Sequence, residues 1–304
     1  MTATVITMCS NRKRGDPAAD LSAAGLARGT ADAVAAVWGR RLVQAPCALT
    51  ARQLYGGRGF REAEAAAEAQ GGAFLVVSAG LGLVAADAAV PAYGLTLLAS
   101  HADGILGKID DDEASAWWRA LTSVSPFHSP DIPGRGLILA ALSAPYMAMV
   151  ADDWAGWPAE RFARLRVFSK SPPVGAAAAL APAWMPYDDR LDAIGPGHAG
   201  TQADFAQRAL RHFAVTFTTS SRGAPSDAAA VRAGLQGLTE RERPERKRLD
   251  DADLLALISA EWDAAGGRSG AMLRRLRDDL HIACEQSRLK TLFKTVAASR
   301  GSAS

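Results

Sequence analysis

The sequence predicts an α/β protein: a three-layer α/β/α core with a parallel sheet over residues 1–222, then an all-α, helix-turn-helix-like domain over residues 223–304. Three observations predict it. Short β-branched and apolar runs alternate with longer stretches of helical sequence, the pattern of a parallel sheet covered on both faces. The composition turns loop-like over residues 219–227 (TSSRGAPSD), as at a domain boundary. Beyond that point the chain reads as helix throughout, with basic residues concentrated towards its end.

Residues 2–8 (TATVITM) form a buried strand that stops at the polar Cys9-Ser10-Asn11-Arg12-Lys13-Arg14. A helix is expected over 23–39 and a weaker strand over 42–48. A turn with Gly56, Gly57 and Gly59 leads into an alanine-rich helix over 60–70, closed by Gly71-Gly72. Residues 73–78 (AFLVVS) are the clearest central strand, and 79–93 read as a loop carrying Asp87 and Tyr93. The acidic run Asp110-Asp111-Asp112-Glu113 suits the positive end of the helix that carries Trp117, Trp118 and Leu121. Residues 137–142 form a strand, and Pro145 opens the next helix. A short strand over 165–168 precedes Ser169-Lys170-Ser171-Pro172, and a helix over 201–217 completes the core. Three tail helices are expected near 250–264, 269–278 and 284–297.

Global composition narrows the classes. The chain nets +2, with 34 basic against 32 acidic residues, so a nucleic-acid surface requires local segregation of charge. Three scattered cysteines (Cys9, Cys47, Cys284) without C-x-x-C argue against a disulfide framework and a structural zinc site. The sequence lacks both a membrane-length apolar run and a signal-peptide pattern, so a cytoplasmic protein that needs no membrane is expected.

In an open parallel sheet, ligands bind outside the carboxyl ends of the strands. The loops after Met8, Ser78, Leu142 and Phe168 fall on that edge, whereas His128-Ser129-Pro130 precedes a strand and faces away. These loops supply Ser10, Asn11, Lys13, Ser78, Tyr93 and Ser143 as candidate pocket residues, and the segment before the glycine turn adds Arg52 and Tyr55 as further candidates. Asp87 is the one plausible catalytic carboxylate of these loops. The sequence lacks a metal-ligand cluster, a P-loop, a complete dinucleotide fingerprint and a nucleophile elbow, so metal-free and cofactor-free chemistry is expected. A carboxylate among aromatic and basic groups suits cleavage of a bond whose leaving group departs as an anion, with an oxocarbenium ion to stabilise.

In order, Cys9-Ser10-Asn11-Arg12-Lys13, Ala51-Arg52-Gln53-Leu54-Tyr55 with Phe60, Val77-Ser78-Ala79-Gly80-Leu81-Gly82-Leu83-Val84 and Pro91-Ala92-Tyr93 resemble a bacterial family with a C-S-x-x-K, L-Y-x-x-x-x-F, L-S-A-x-x-G-L-V and P-Y pattern. That family is similar to YaaA-type DNA-binding stress proteins and to the uracil-DNA-glycosylase-like superfamily. The resemblance covers about the first hundred residues and extends weakly through Tyr187-Asp188-Asp189-Arg190-Leu191 and Gly200-Thr201 with Asp204-Phe205. It implies a uracil-DNA-glycosylase-like core in which Asp87 activates water and Tyr93 stacks on a base. It also implies that Lys170 and Ser171 touch DNA. One member type that it resembles is a phage-defence DNA glycosylase that flips out glucosylated hydroxymethylcytosine and leaves an abasic site. A non-catalytic DNA-binding stress protein and an enzyme acting on modified tRNA bases are the alternatives.

The tail points to nucleic acid by itself. Between Gly266 and Ser304 there are eight basic and three acidic residues, interleaved with apolar positions at helical spacing. Arg274, Arg275, Arg288 and Lys290 are the expected DNA contacts of a helix-turn-helix-like module.

Overall fold

The computed structural model describes residues 2–10, 12–18, 20–98, 101–129, 131–240 and 245–301. The chain divides into two compact units, Met1–Arg241 and Glu242–Ser304.

In the first unit, β1 (Thr4–Met8) leads through a short 3-10 turn (Ala23–Gly25) to α1 (Ala31–Gln44). Thr30 caps α1, its hydroxyl accepting the Ala33 N–H at 3.3 Å, and Asp32 sits in the first turn. Val34, Trp38 and Leu42 are buried at four-residue spacing. That helical period carries α1 through Leu42 and Val43, where a strand over 42–48 is expected from the sequence; only β2 (Leu49–Thr50) is extended. Next come α2 (Ala51–Leu54), α3 (Arg58–Gln70) and β3 (Phe74–Ser78), whose five residues are all buried.

Residues 79–93 are not a loop. Ser78 Oγ accepts the N–H groups of Gly80 (3.3 Å) and Leu81 (3.0 Å), closing a tight turn, and Gly82 (φ 89°) starts the return strand β4 (Gly82–Ala85). β4 pairs antiparallel with β3, and β5 (Ala89–Val90) then pairs antiparallel with β2. The unit continues with α4 (Ala114–Val124), β6 (Ile138–Ala141), α5 (Ala144–Ala155), α6 (Ala159–Phe162) and β7 (Leu165–Phe168). After a 3-10 stretch (Gly175–Ala183) come α7 (Phe205–Thr216) and α8 (Ala224–Gly234).

The sheet order is β4-β3-β1-β6-β7, with β3, β1, β6 and β7 parallel. α3 and α7 pack together on one face; α1, α4 and α5 pack in series on the other. The chain is thus α/β with a mostly parallel five-stranded sheet between helices. Its parallel strands follow the doubly wound pattern, in which the second lies beside the first and the third returns to the first strand's other side.

A boundary after residue 222 does not match these units. Gly223 (φ 115°) makes a turn inside the first unit, and α8 buries Ala228 and Val231 in the main core. Asp227 receives Arg166 Nε at 2.6 Å, with the two side chains 4% and 1% exposed. Breaking such a buried pair costs roughly 3–5 kcal/mol, so α8 belongs to the α/β unit.

In the second unit, β8 (Lys247–Arg248) precedes α9 (Asp251–Ala260), α10 (Ser269–Arg274) passes into a π turn (Arg275–Asp279), and β9 (Ile282–Ala283) precedes α11 (Gln286–Gly301). Leu254, Ile258, Met272, Leu276 and Leu289 are buried in its own small core. Among the described residues no helix is long and apolar enough to cross a membrane.

Candidate active site

The site follows from the sheet order. The crossover from β1 to β3 ends in α3 on one face, whereas β6 and β7 are joined through α5 on the other. The loops leaving β1 and β6 therefore part, and a crevice opens outside their carboxyl ends. A cavity of about 540 Å³ lies there.

The loop after β1 lines it through Cys9, Ser10 and Arg12, and the start of α5 through Ser143 and Tyr146. The start of α3 contributes Gly57, Arg58 and Gly59. Thr201, Asp204 and Gln207 close it from the approach to α7.

Ser10 and Ser143 thus stand where the sequence places them. Ser10 Oγ donates to the Arg12 carbonyl at 3.1 Å and accepts the Gly56 N–H at 3.3 Å. Ser143 begins α5 without a side-chain cap bond, and its N–H points to Met8 Sδ at 3.3 Å. Asn11 lies outside the described residues.

Tyr55, Ser78 and Tyr93 come together, but as a buried hydroxyl cluster within the core. Tyr55 Oη lies 2.9 Å from Tyr93 Oη and donates to Ser78 Oγ at 3.1 Å; Ser78 Oγ and Tyr93 Oη are 2.8 Å apart. Burial pushes both phenols well above the ordinary tyrosine value, so they stay neutral hydrogen-bonding groups. Lys13 sits half-buried above Tyr93, with Nζ 4.4 Å from the ring centroid and donating to the Leu95 carbonyl at 3.2 Å. Burial lowers its pKa, opposed by the nearby Cys9 and Asp103.

Asp87 is not at the cavity. The β3–β4 hairpin carries the chain back along the sheet, and the Ala86 N–H donates to the carbonyl of Phe74, the first residue of β3, at 2.8 Å. Asp87 therefore stands at the opposite, amino edge with its side chain 79% exposed. Arg52 grips it through Nε (2.9 Å) and Nη2 (3.4 Å), and reaches Glu64 through Nη1 (2.7 Å). Hydrogen bonding to Arg52 holds the Asp87 carboxyl below its usual range. Asp87 and Arg52 form a surface ion pair away from the crevice, because the glycine turn makes a hairpin of the expected loop.

Lys170 and Ser171 are exposed after β7 and do not line the cavity. Lys170 pairs with Asp189, and its Nζ lies 5.3 Å from the Phe205 ring centroid; the Ser171 carbonyl accepts Ser169 Oγ at 2.7 Å.

The carboxylate that does line the cavity is Asp204, in a 3-10 turn (Gln202–Asp204) that opens α7. Its Oδ1 accepts the Thr201 N–H (2.8 Å) and Arg208 Nε (2.7 Å). Its Oδ2 faces Arg58 Nε at 3.7 Å, beyond hydrogen-bond distance. Arg208, buried, also holds Asp192 at 2.7 Å. One turn further along α7, Gln207 is 2% exposed and its Nε2 donates to Thr7 Oγ1 at 3.3 Å, while its Oε1 has no partner. Tyr146 and Cys9, 2.9 Å apart through Oη and Sγ, form the cavity wall below. The Thr201-x-x-Asp204 cap and the helical spacing to Gln207 and Arg208 are visible in the sequence; their convergence on the end of β1 is not, since it spans some two hundred residues.

In the second unit the expected DNA contacts divide. Arg275 is bound to Glu261 and Arg288 to Asp251. Arg274 and Lys290 are exposed, without a partner among the described residues. No protein-family model, no curated protein and no solved structure matches the chain.

Proposed function

We propose that this protein is a nucleic-acid glycosylase that draws a modified base into the cavity and hydrolyses its N-glycosidic bond. The observation that carries the reading is the meeting of Asp204, Gln207, Arg12 and Arg58 in one crevice outside the carboxyl ends of β1 and β6. Asp204 and Gln207 have direct parts in such chemistry. Glycosidic cleavage builds positive charge on the sugar, and Asp204, fixed by Arg208 and with Oδ2 accepting no hydrogen bond though 3.7 Å from Arg58, supplies the opposing charge. The buried Gln207 amide adds a hydrogen-bonding group to hold the flipped nucleotide. At about 540 Å³ the cavity exceeds the need of a bare base, which favours a bulky one such as glucosylated hydroxymethylcytosine, as expected of an anti-phage enzyme.

In this reading Asp204 takes the place of Asp87. The uracil-DNA-glycosylase-like architecture and the helix-turn-helix-like role of the second unit belong to the same proposal. The doubly wound strand order supports the first, and the exposed Arg274 and Lys290 support the second.

The test incubates the full chain with DNA carrying cytosine, hydroxymethylcytosine or glucosylated hydroxymethylcytosine, and with folded RNA. Released bases and alkali-labile sites are then measured. Glucosylated DNA should yield both, Asp204→Asn should slow the reaction by about two to three orders of magnitude, and Asp87→Ala should leave it unchanged. Absence of a released base from every substrate refutes the reading; duplex binding without cleavage then marks a non-catalytic DNA-binding protein.

A further inference from the structure

We propose that the cavity seats the phosphate group of a nucleotide, free or within a strand, on the amino end of α3. The proposal rests on the nucleic-acid reading of the cavity and names what the cavity grips, without requiring that any bond be cut.

A 13-residue helix, α3 begins after Gly57, which has φ 102° and no side chain to cap it. The N–H groups of Arg58, Gly59 and Phe60 have no acceptor among the described residues, and all three residues line the cavity. Free N–H groups at the positive end of a helix dipole attract an anion. By contrast, α1, α2 and α9 are capped by Thr30, Thr50 and Asp250. Another uncapped start, that of α5 at Ser143, lines the same cavity and adds its dipole.

Gln207 points independently to a ligand. It is 2% exposed, lines the cavity and has an unpartnered Oε1. That atom stands over the first turn of α3: a Cβ built on Gly59 would lie 3.1 Å from it. Leaving a buried acceptor unpaired is costly, and as placed it would repel an anion, so a phosphate-bound state needs the amide turned over. The Thr7 hydroxyl can donate as well as accept. Turning the amide over would let Thr7 hold Oε1 and aim the two Nε2 hydrogens at an anion.

Arg12 supplies the surplus charge. It lines the cavity, is exposed, and its guanidinium has no partner among the described residues. Arg58 is already shared among Glu62 (3.3 Å), Asp204 (3.7 Å) and the Ala199 carbonyl (2.6 Å), and Arg208 is divided between Asp204 and Asp192 (2.7 Å each).

Calorimetric titration of the full chain with inorganic phosphate, then with a 5′-mononucleotide, tests the site. Phosphate should bind, and Arg12→Ala, at an exposed position that does not threaten folding, should weaken it about tenfold, equivalent to ~1.4 kcal/mol. Gln207→Glu, which aims a carboxylate at the same N–H groups, should abolish binding while thermal melting reports an intact fold. Arg232→Ala, which removes an exposed charge on α8, should change nothing. Displacement of phosphate by the mononucleotide but not by its nucleoside assigns a free nucleotide. Displacement by an oligonucleotide without terminal phosphates assigns a strand. Displacement by neither, equal binding in Arg12→Ala, or no binding of phosphate overturns the proposal. Binding that persists without base release leaves the phosphate site standing and removes only the glycosylase.

Discussion

Among the described residues, only the α/β unit buries arginine–carboxylate pairs outright, beside surface pairs such as Arg52 with Asp87. In the α/β unit, the Arg166 and Arg208 side chains are 1% and 0% exposed and face carboxylates no more than 6% exposed. In the helical unit, Arg275, Arg288 and Arg300 are each about a third or more exposed, and the carboxylates of Asp251 and Asp263 are 66% and 91% exposed. Buried pairs cannot be exchanged for water, so they fix geometry: Arg208 holds the cavity carboxylate, and Arg166 holds α8. Surface pairs are worth about 0–1 kcal/mol each and give way easily, which suits the nucleic-acid role proposed for the helical unit.

The contrast breaks most visibly at Asp227. Asp227→Ala should destabilise the α/β unit by roughly 3–5 kcal/mol, read as a shift in the urea midpoint at constant slope. A chain ending at residue 241 should keep that unit's stability, whereas one ending at residue 222 should lose at least as much as the substitution. Equal midpoints for the two truncations would place the boundary at 222 after all.

The same comparison explains how much of the molecule was legible in its sequence. The four parallel strands were, because four-to-six-residue apolar runs such as 74–78 and 165–168 carry their own signal, and the positions of Ser10 and Ser143 follow from the rule of the carboxyl edge. The hairpin was not. Gly80-Leu81-Gly82 reads as a loop until Ser78 Oγ is seen collecting two of its N–H groups, and the reversal then moves Asp87 across the sheet. Gln207 could not be read either, because its meaning depends on α3 lying against α7. The tail's charge was legible but wrongly windowed. Over residues 242–304 there are twelve basic and ten acidic residues, since Asp251, Glu261 and Asp263 on and after α9 answer the arginines that follow.

A smaller effect sharpens the picture of the α/β interior. His212, half-buried, is 2.8 Å from Tyr187 Oη through Nδ1 and meets His198 edge-on at 5.2 Å. Burial, and then the neighbouring His198, lower its pKa from 6.5 to about 4. The unfolded chain thus takes up a proton below pH 6.5 that the folded one refuses until about pH 4. The contribution is complete above pH 6.5 and is lost as the pH falls towards 4. Allowing for solvent screening, the loss at pH 5 is on the order of 1 kcal/mol. His212→Phe should flatten that part of the stability profile, and an unchanged difference between pH 7 and pH 5 would remove histidine burial as its cause.

The smallest expected effects lie in the helical unit, where the comparison with the buried pairs is most easily upset. A double-mutant cycle on Arg288 and Asp251 should give a coupling below about 1 kcal/mol, fading with salt. A coupling near that of Arg166 and Asp227 would make α9 and α11 a rigid scaffold. If the weak value holds, duplex binding should draw on both kinds of arginine. Arg274→Ala and Lys290→Ala should each reduce the slope of log affinity against log salt by about 0.9, one phosphate apiece. Asp251→Asn, by releasing Arg288 to the strand, should raise the affinity without harming the fold. A gain on removing that carboxylate is what separates a surface that holds its arginines in reserve from one that has spent them on stability, and salt slopes unmoved by all three substitutions would leave the helical unit without a part in nucleic-acid binding.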